Sequence, residues 1–103
     1  MGYIYKITND INNKIYIGLT NLQNPIDRWT KHLSDMNNAI LYSKRPLYEA
    51  MHKYGTEHFH FEIIEETNNL SEREQYWIKT LRTYIGFSDC KGYNATLGRR
   101  WCF

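Results

Sequence analysis

Near the start of this chain, two runs of β-prone residues flank a stretch of turn formers, and they constrain the fold more than any other feature. Tyr3-Ile4-Tyr5-Lys6-Ile7-Thr8 leads into Asn9-Asp10-Ile11-Asn12-Asn13, which leads into Lys14-Ile15-Tyr16-Ile17-Gly18. Asparagine and aspartate bond to their own backbone and tolerate left-handed geometry, so this spacing predicts a β-hairpin. The hairpin sets Tyr5 and Tyr16 on adjacent strands, where cross-strand neighbours converge on one site. Gly18 ends the second run without a side chain, so another backbone or a ligand can approach closely.

Helical and strand periodicities alternate through the rest of the chain. Asn24-Pro25 reads as an N-cap followed by proline in the first turn. Ile26, Trp29, Leu33 and Met36 then recur at three- and four-residue steps, predicting an amphipathic helix that Asn37 and Asn38 end. A second helix is expected from near Pro46, with Leu47, Ala50, Met51 and Tyr54 as its buried stripe and Gly55 as its stop. Phe59, Phe61 and Ile63 alternate with His60 and Glu62, a strand pattern. Thr67, Asn68 and Asn69 form a turn, and a third helix follows from about Leu70 to Leu81. Beyond Gly92-Tyr93-Asn94 the tail reads as irregular and ends in Trp101-Cys102-Phe103. The order β-β-α-α-β-α predicts an α+β domain, a small three-stranded antiparallel sheet flanked by three helices. The 103 residues suffice for one such domain, and no repeat or linker divides them.

Charge and composition narrow the function only slightly. A net charge of +2 permits nucleic-acid binding without arguing for it, because phosphate neutralisation usually draws on a far more basic surface. No apolar run of about 18 residues exists, and the N-terminus lacks a secretory pattern, so the expected location is cytoplasmic and away from membranes. Cys90 and Cys102 are too far apart for a metal clip and read as free thiols of a reducing compartment.

The candidates for chemistry are polar residues placed where apolar ones would be easier to bury. On a helical wheel Glu74 shares a face with Leu70, Trp77, Ile78 and Leu81. A buried carboxylate must be paired, protonated or bound to a cation. Ser71-Glu72-Arg73-Glu74 also fits a capping box, with Glu74 reaching back to the Ser71 backbone, so two readings stand. Arg28 and His32 lie one helical turn apart and flank the apolar stripe, either as a solvated face or as a functional pair. Asn94 sits in a Gly-Tyr-Asn turn, where asparagine commonly serves its own backbone. His52, His58 and His60 read as surface or sheet-face residues. Lys44 and Arg45, ahead of the second helix, suit either a solvated loop or a phosphate contact.

Taken together, Tyr3-Ile4-Tyr5, Tyr16-Ile17-Gly18, Arg28 with His32, Glu74 in Glu72-Arg73-Glu74-Gln75-Tyr76-Trp77-Ile78, and Asn94 in Gly92-Tyr93-Asn94 resemble the GIY-YIG nuclease family in order and spacing. Tyr3 stands where the first motif usually has glycine, with Gly2 one place earlier. The stretches around Arg28-Trp29 and Glu74-Gln75-Tyr76-Trp77 look most like the catalytic domains of phage-type homing endonucleases. The resemblance implies a divalent-metal-dependent endonuclease that hydrolyses double-stranded DNA by in-line attack of activated water. It implies one Mg²⁺ or Mn²⁺ ion held by Glu74, with Tyr5, Tyr16, Arg28, His32 and Asn94 as the other site residues. Arg28 would fork onto the scissile phosphate, and His32 would orient a tyrosine, accept its proton or touch phosphate. Tyr5 would be the general base and Tyr16 would hold water or phosphate, or the reverse. A nearby arginine and cation would favour the phenolate. Residues 1–103 would be the catalytic domain alone, with no DNA-specificity domain among them, working in the host cytoplasm if phage-encoded. The rival readings are a nucleic-acid-binding module of the same fold with lost turnover, and a structural or protein-interaction domain.

Overall fold

The asparagine-rich turn closes as its chemistry predicts. In the computed structural model, which describes residues 2–21, 23–35 and 46–94, strands β1 (Gly2–Asn9) and β2 (Ile15–Thr20) pair antiparallel. Asn9 Oδ1 accepts the Ile11 N–H at 3.0 Å, Asn12 Oδ1 accepts the Lys14 N–H at 2.9 Å, and Asn13 takes the left-handed conformation at φ 61°. Both asparagines also donate to the Tyr93 hydroxyl, each at 3.1 Å, so the turn is anchored by a residue far away in sequence.

Helix α1 spans Ile26–Asp35, α2 Pro46–Tyr54 and α3 Leu70–Leu81, with β3 (Phe59–Thr67) between α2 and α3 after a single 3-10 turn at Thr56–His58. The predicted element order is the observed one. Gly55 ends α2 at φ 93°, a conformation open to glycine, and its N–H bonds the Met51 carbonyl at 3.0 Å. Met36, Asn37, Asn38, Lys44, Arg45 and the Trp101-Cys102-Phe103 tail lie outside the described residues.

The sheet order is β2-β1-β3, all antiparallel. Its two faces carry separate apolar clusters. Tyr5, Ile7 and Phe59 pack with Leu47, Tyr48, Ala50 and Met51 of α2 and with Tyr93, and Tyr16, Trp29, Leu33 and Phe61 lie against them. Ile4 and Ile17 pack on the other face with Ile78, joined by Leu70, Trp77 and Leu81 of α3. Period-two alternation along β1 and β2 therefore feeds two cores, with α1 and α2 over one face and α3 over the other.

Two expected stripes are corrected. In α1 the buried residue is His32, while Ile26 is 48% exposed. The helix turns its Trp29-His32-Leu33 side inward because two phenols wait there to satisfy the imidazole, so burying it leaves no ring nitrogen stranded. In β3 the alternation breaks at a bulge. Ile4 faces Glu65 while Tyr5 faces Ile63, so Ile64 is the extra residue. Ile63 is left 37% exposed, and Ile64 packs into the α3 cluster instead.

Candidate active site

On the α1–α2 face, β1 and β2 present their phenols to helix side chains. Tyr5 pairs with Gly18 and Tyr16 with Ile7, so both tyrosines project from the same face, with ring centroids 6.4 Å apart. A Cβ built on Gly18 would land in the Tyr5 ring, so the group that approaches this glycine closely is the protein's own phenol. The Tyr5 hydroxyl meets His32 Nε2 at 2.7 Å, and His32 Nδ1 meets the Tyr48 hydroxyl at 2.8 Å. Both ring nitrogens are engaged with phenols. The half-buried Arg28 guanidinium lies close enough to the Tyr5 hydroxyl for the two groups to influence each other's charge.

Burial decides the electrostatics. Tyr5 is completely buried, and loss of solvent pushes its phenol far above the ordinary value of 10.0. Tyr16 beside it adds to the rise, and the opposing effect of Arg28 is too small to reverse it. The expectation that a neighbouring arginine would favour the Tyr5 phenolate is thus outweighed by desolvation. Partial burial works against the Arg28 charge, yet Tyr5, Tyr16 and Tyr48 around it hold its pKa above the usual arginine value. Tyr16 is half-buried and is the more accessible of the two motif phenols.

Asn94 serves a strand, not its own turn. Its amide accepts the Ile17 N–H at 2.8 Å and donates to the Ile17 carbonyl at 2.7 Å, and the Thr83 hydroxyl donates to the same amide oxygen at 2.8 Å. The side chain therefore acts as one more backbone unit along the outer strand β2, at the residue between Tyr16 and Gly18. A parallel bridge joins Ile15 of β2 to Gly92, and another joins Tyr84 to Asn94 itself.

Glu74 comes from a different element, helix α3. It is 7% exposed, on the helix whose Ile78 packs against Ile4 and Ile17. Helix α3 begins at Leu70 with Asn69 as its N-cap, so Ser71 is already inside the helix and the capping-box geometry does not form. Among the described residues no group of three or more His, Cys, Asp or Glu is placed to hold a metal ion. A site with one carboxylate fits a hard divalent cation that keeps most of its water and takes its remaining ligands from substrate phosphate. It does not fit an ion caged by protein alone.

The other predicted histidines are surface residues. Asp10 accepts from His58 Nδ1 at 3.0 Å and His60 Nε2 at 2.8 Å, which ties the hairpin turn to the start of β3, and the histidines hold the Asp10 carboxyl below its usual range. His52 is exposed on α2. Cys90 is a free thiol, as expected, while Cys102 is outside the described residues.

Sequence reasoning missed Tyr48, Thr83 and Tyr93. A broader stripe on α2 would have caught Tyr48, which precedes Met51 by three residues. Nothing local marks Thr83, and the Gly92-Tyr93-Asn94 motif gives no hint of the distant partners of Tyr93.

The GIY-YIG catalytic domain family matches residues 1–94. The chain belongs to that family. By class it is therefore a nuclease domain, a phosphodiester hydrolase. It is 34% identical over 102 residues to "Intron-associated endonuclease 1" of Enterobacteria phage T4, a match covering 92% of this chain and 38% of that protein. It is 41% identical over 63 residues to "Putative endonuclease segB" of the same phage, covering 61% of this chain and 24% of that one. The chain thus spans well under half the length of these curated relatives. Among solved structures, a mutant form of the catalytic domain of intron endonuclease I-TevI superposes with a TM-score of 0.76 at 30% identity, covering 96% of this chain and 98% of that one. A second structure of the I-TevI catalytic domain gives 0.71 at 30% identity, covering 93% and 99%. The architecture described above is the fold of this GIY-YIG domain. No helix among its described residues is long and apolar enough to cross a membrane.

Proposed function

We propose that this GIY-YIG domain is a divalent-metal-dependent endonuclease that hydrolyses phosphodiester bonds of double-stranded DNA by in-line attack of water. The observation that supports the reading is the half-buried Arg28 guanidinium, set close to the buried Tyr5 phenol and to the more accessible Tyr16. A guanidinium in that position offers a fork to the scissile phosphate and stabilises the charge that builds there in the transition state. Tyr16 holds the attacking water or a phosphate oxygen. Tyr5 keeps its proton, because burial opposes the phenolate, and serves by fixing Arg28. This drops the general-base role for Tyr5 and keeps the role first given to Tyr16. His32 orients Tyr5, and Asn94 fixes the β2 backbone beside Tyr16.

Glu74 would hold the one ion, Mg²⁺ or Mn²⁺. When bound, such an ion supplies positive charge at the phosphate and acidifies a coordinated water. The products would be a 3′-hydroxyl and a 5′-phosphate. One site cuts one strand per encounter, so a double-strand break needs a dimer or two sequential nicks.

A time course on supercoiled plasmid with Mg²⁺ or Mn²⁺ tests the reading. The expected result is relaxed circles followed by linear DNA, abolished by chelator, by Glu74→Ala and by Arg28→Lys. The lysine keeps the charge and loses the fork. Plasmid that is bound but stays intact with either metal would overturn the proposal in favour of a binding module. A domain whose melting responds to neither DNA nor metal would point to a structural role.

A further inference from the structure

Tyr48, His32 and Tyr5 form a buried row that ends at Arg28. Their exposures are 1%, 1% and 0%, and the two links through the imidazole are 2.8 and 2.7 Å. The rings pack edge to face, with centroids 5.7 Å apart for His32 and Tyr48 and 5.8 Å apart for Tyr5 and His32. Among the described residues no buried side-chain nitrogen or oxygen lacks a hydrogen-bond partner, and that full satisfaction gives the row a direction.

Arginine carries a positive charge and can only donate, so beside Arg28 the Tyr5 oxygen is best oriented with a lone pair toward the guanidinium and its hydrogen away from it. The Tyr5 hydrogen must then go elsewhere, and His32 Nε2 lies 2.7 Å away. A neutral imidazole whose Nε2 accepts carries its hydrogen on Nδ1. That hydrogen points at the Tyr48 oxygen, 2.8 Å off. In the opposite tautomer Nε2–H would donate to the Tyr5 oxygen, compete there with the guanidinium, and leave the phenol hydrogen to find another acceptor in a buried space.

We propose that Tyr48 is a positioning residue: its hydroxyl oxygen accepts the His32 Nδ1–H, holds the imidazole in that tautomer, and so keeps a lone pair of the Tyr5 oxygen turned toward Arg28. Tyr48 touches neither substrate nor metal in this scheme and acts through His32 and Tyr5. The functional half rests on the reading that Arg28 serves the scissile phosphate. The tautomer itself does not.

The test is long-range ¹⁵N–¹H NMR of histidine side chains in the whole chain, with plasmid-cleavage kinetics on the same proteins. Wild-type His32 is expected to show the Nδ1–H pattern. In Tyr48→Phe that acceptor is gone, so the pattern should move toward Nε2–H. The kcat should fall at least roughly tenfold, with KM held within about twofold, because transition-state contacts are lost and ground-state binding is not. Tyr54→Phe, on the same helix but outside the row, should leave tautomer and kcat unchanged. A wild-type Nε2–H pattern, an unshifted tautomer in Tyr48→Phe, or a loss seen only in KM would overturn the proposal. If Tyr48→Phe does not fold, the wild-type tautomer decides. If the wild type cuts no DNA while Tyr48→Phe still shifts the tautomer, the positioning device stands and the nuclease reading falls.

Discussion

A phenol sealed from water resists ionisation, and at the residue scale that governs how Tyr5 responds to pH. Its folded pKa lies above the unfolded value of about 10. Above that pH the unfolded chain releases the proton and the folded one keeps it, so the native state binds more protons and stability falls as pH rises. The contribution is intact below about pH 10 and erodes from there upward. Urea midpoints measured from about pH 8 to pH 11 should drop less steeply in Tyr5→Phe than in wild type, and identical slopes would refute the buried-phenol account. Tyr5→Phe should also cost about 1–3 kcal/mol at neutral pH, since it strands His32 Nε2 in the interior. Tyr16→Phe removes a half-buried hydroxyl. It should lower the melting temperature less than Tyr5→Phe does while still cutting DNA cleavage at least roughly tenfold, a comparison that thermal melts and plasmid kinetics on the two variants decide.

At the element scale the outer strand β2 is where small changes should matter most. Gly18→Ala puts a methyl into the Tyr5 ring, so either the ring or the strand must shift. Overpacking of this kind costs about 1–3 kcal/mol, and loss of near-ultraviolet tyrosine ellipticity would report the displaced ring. Asn94→Ala removes three hydrogen bonds and leaves the Ile17 N–H and C=O without their partner. At about 1 kcal/mol per bond the loss is about 3 kcal/mol, and amide exchange at Ile17 should speed up more than at the central strand β1. Unchanged protection at Ile17 would mean that the Asn94 amide is not what secures this edge. Across the sheet, Glu65 accepts from Arg73 at 2.8 Å and from Trp77 at 2.9 Å, tying β3 to α3. The β3 bulge supports this tie, because it sets Glu65 opposite Ile4 and on the α3 side.

For the molecule as a whole, one thin sheet serves two cores. Any unfolding that opens it exposes both, so we expect a single cooperative transition with coincident far- and near-ultraviolet melts. Because the described buried polar groups are already satisfied within the protein, the fold closes without an ion. The free domain should therefore melt within about 1 °C of the same temperature with millimolar Mg²⁺ or with chelator, whereas cleavage requires the ion. Tight Mg²⁺ binding to the free domain by calorimetry would contradict a site built on one carboxylate.

The hairpin, the three helices and the third strand were legible in the sequence because each rests on local chemistry: asparagine turns, three- and four-residue apolar steps, and β-prone alternation. The motif positions Tyr5, Tyr16, Arg28, His32, Glu74 and Asn94 were legible too, from their spelling and spacing. Tertiary structure alone decided which of them meet. It buried His32 and paired it with Tyr48, raised the Tyr5 phenol above the reach of its arginine, turned Asn94 onto Ile17, and buried Glu74 on α3. Spacing along a chain encodes periodicity, but desolvation and hydrogen-bond satisfaction depend on neighbours that only the packed fold supplies.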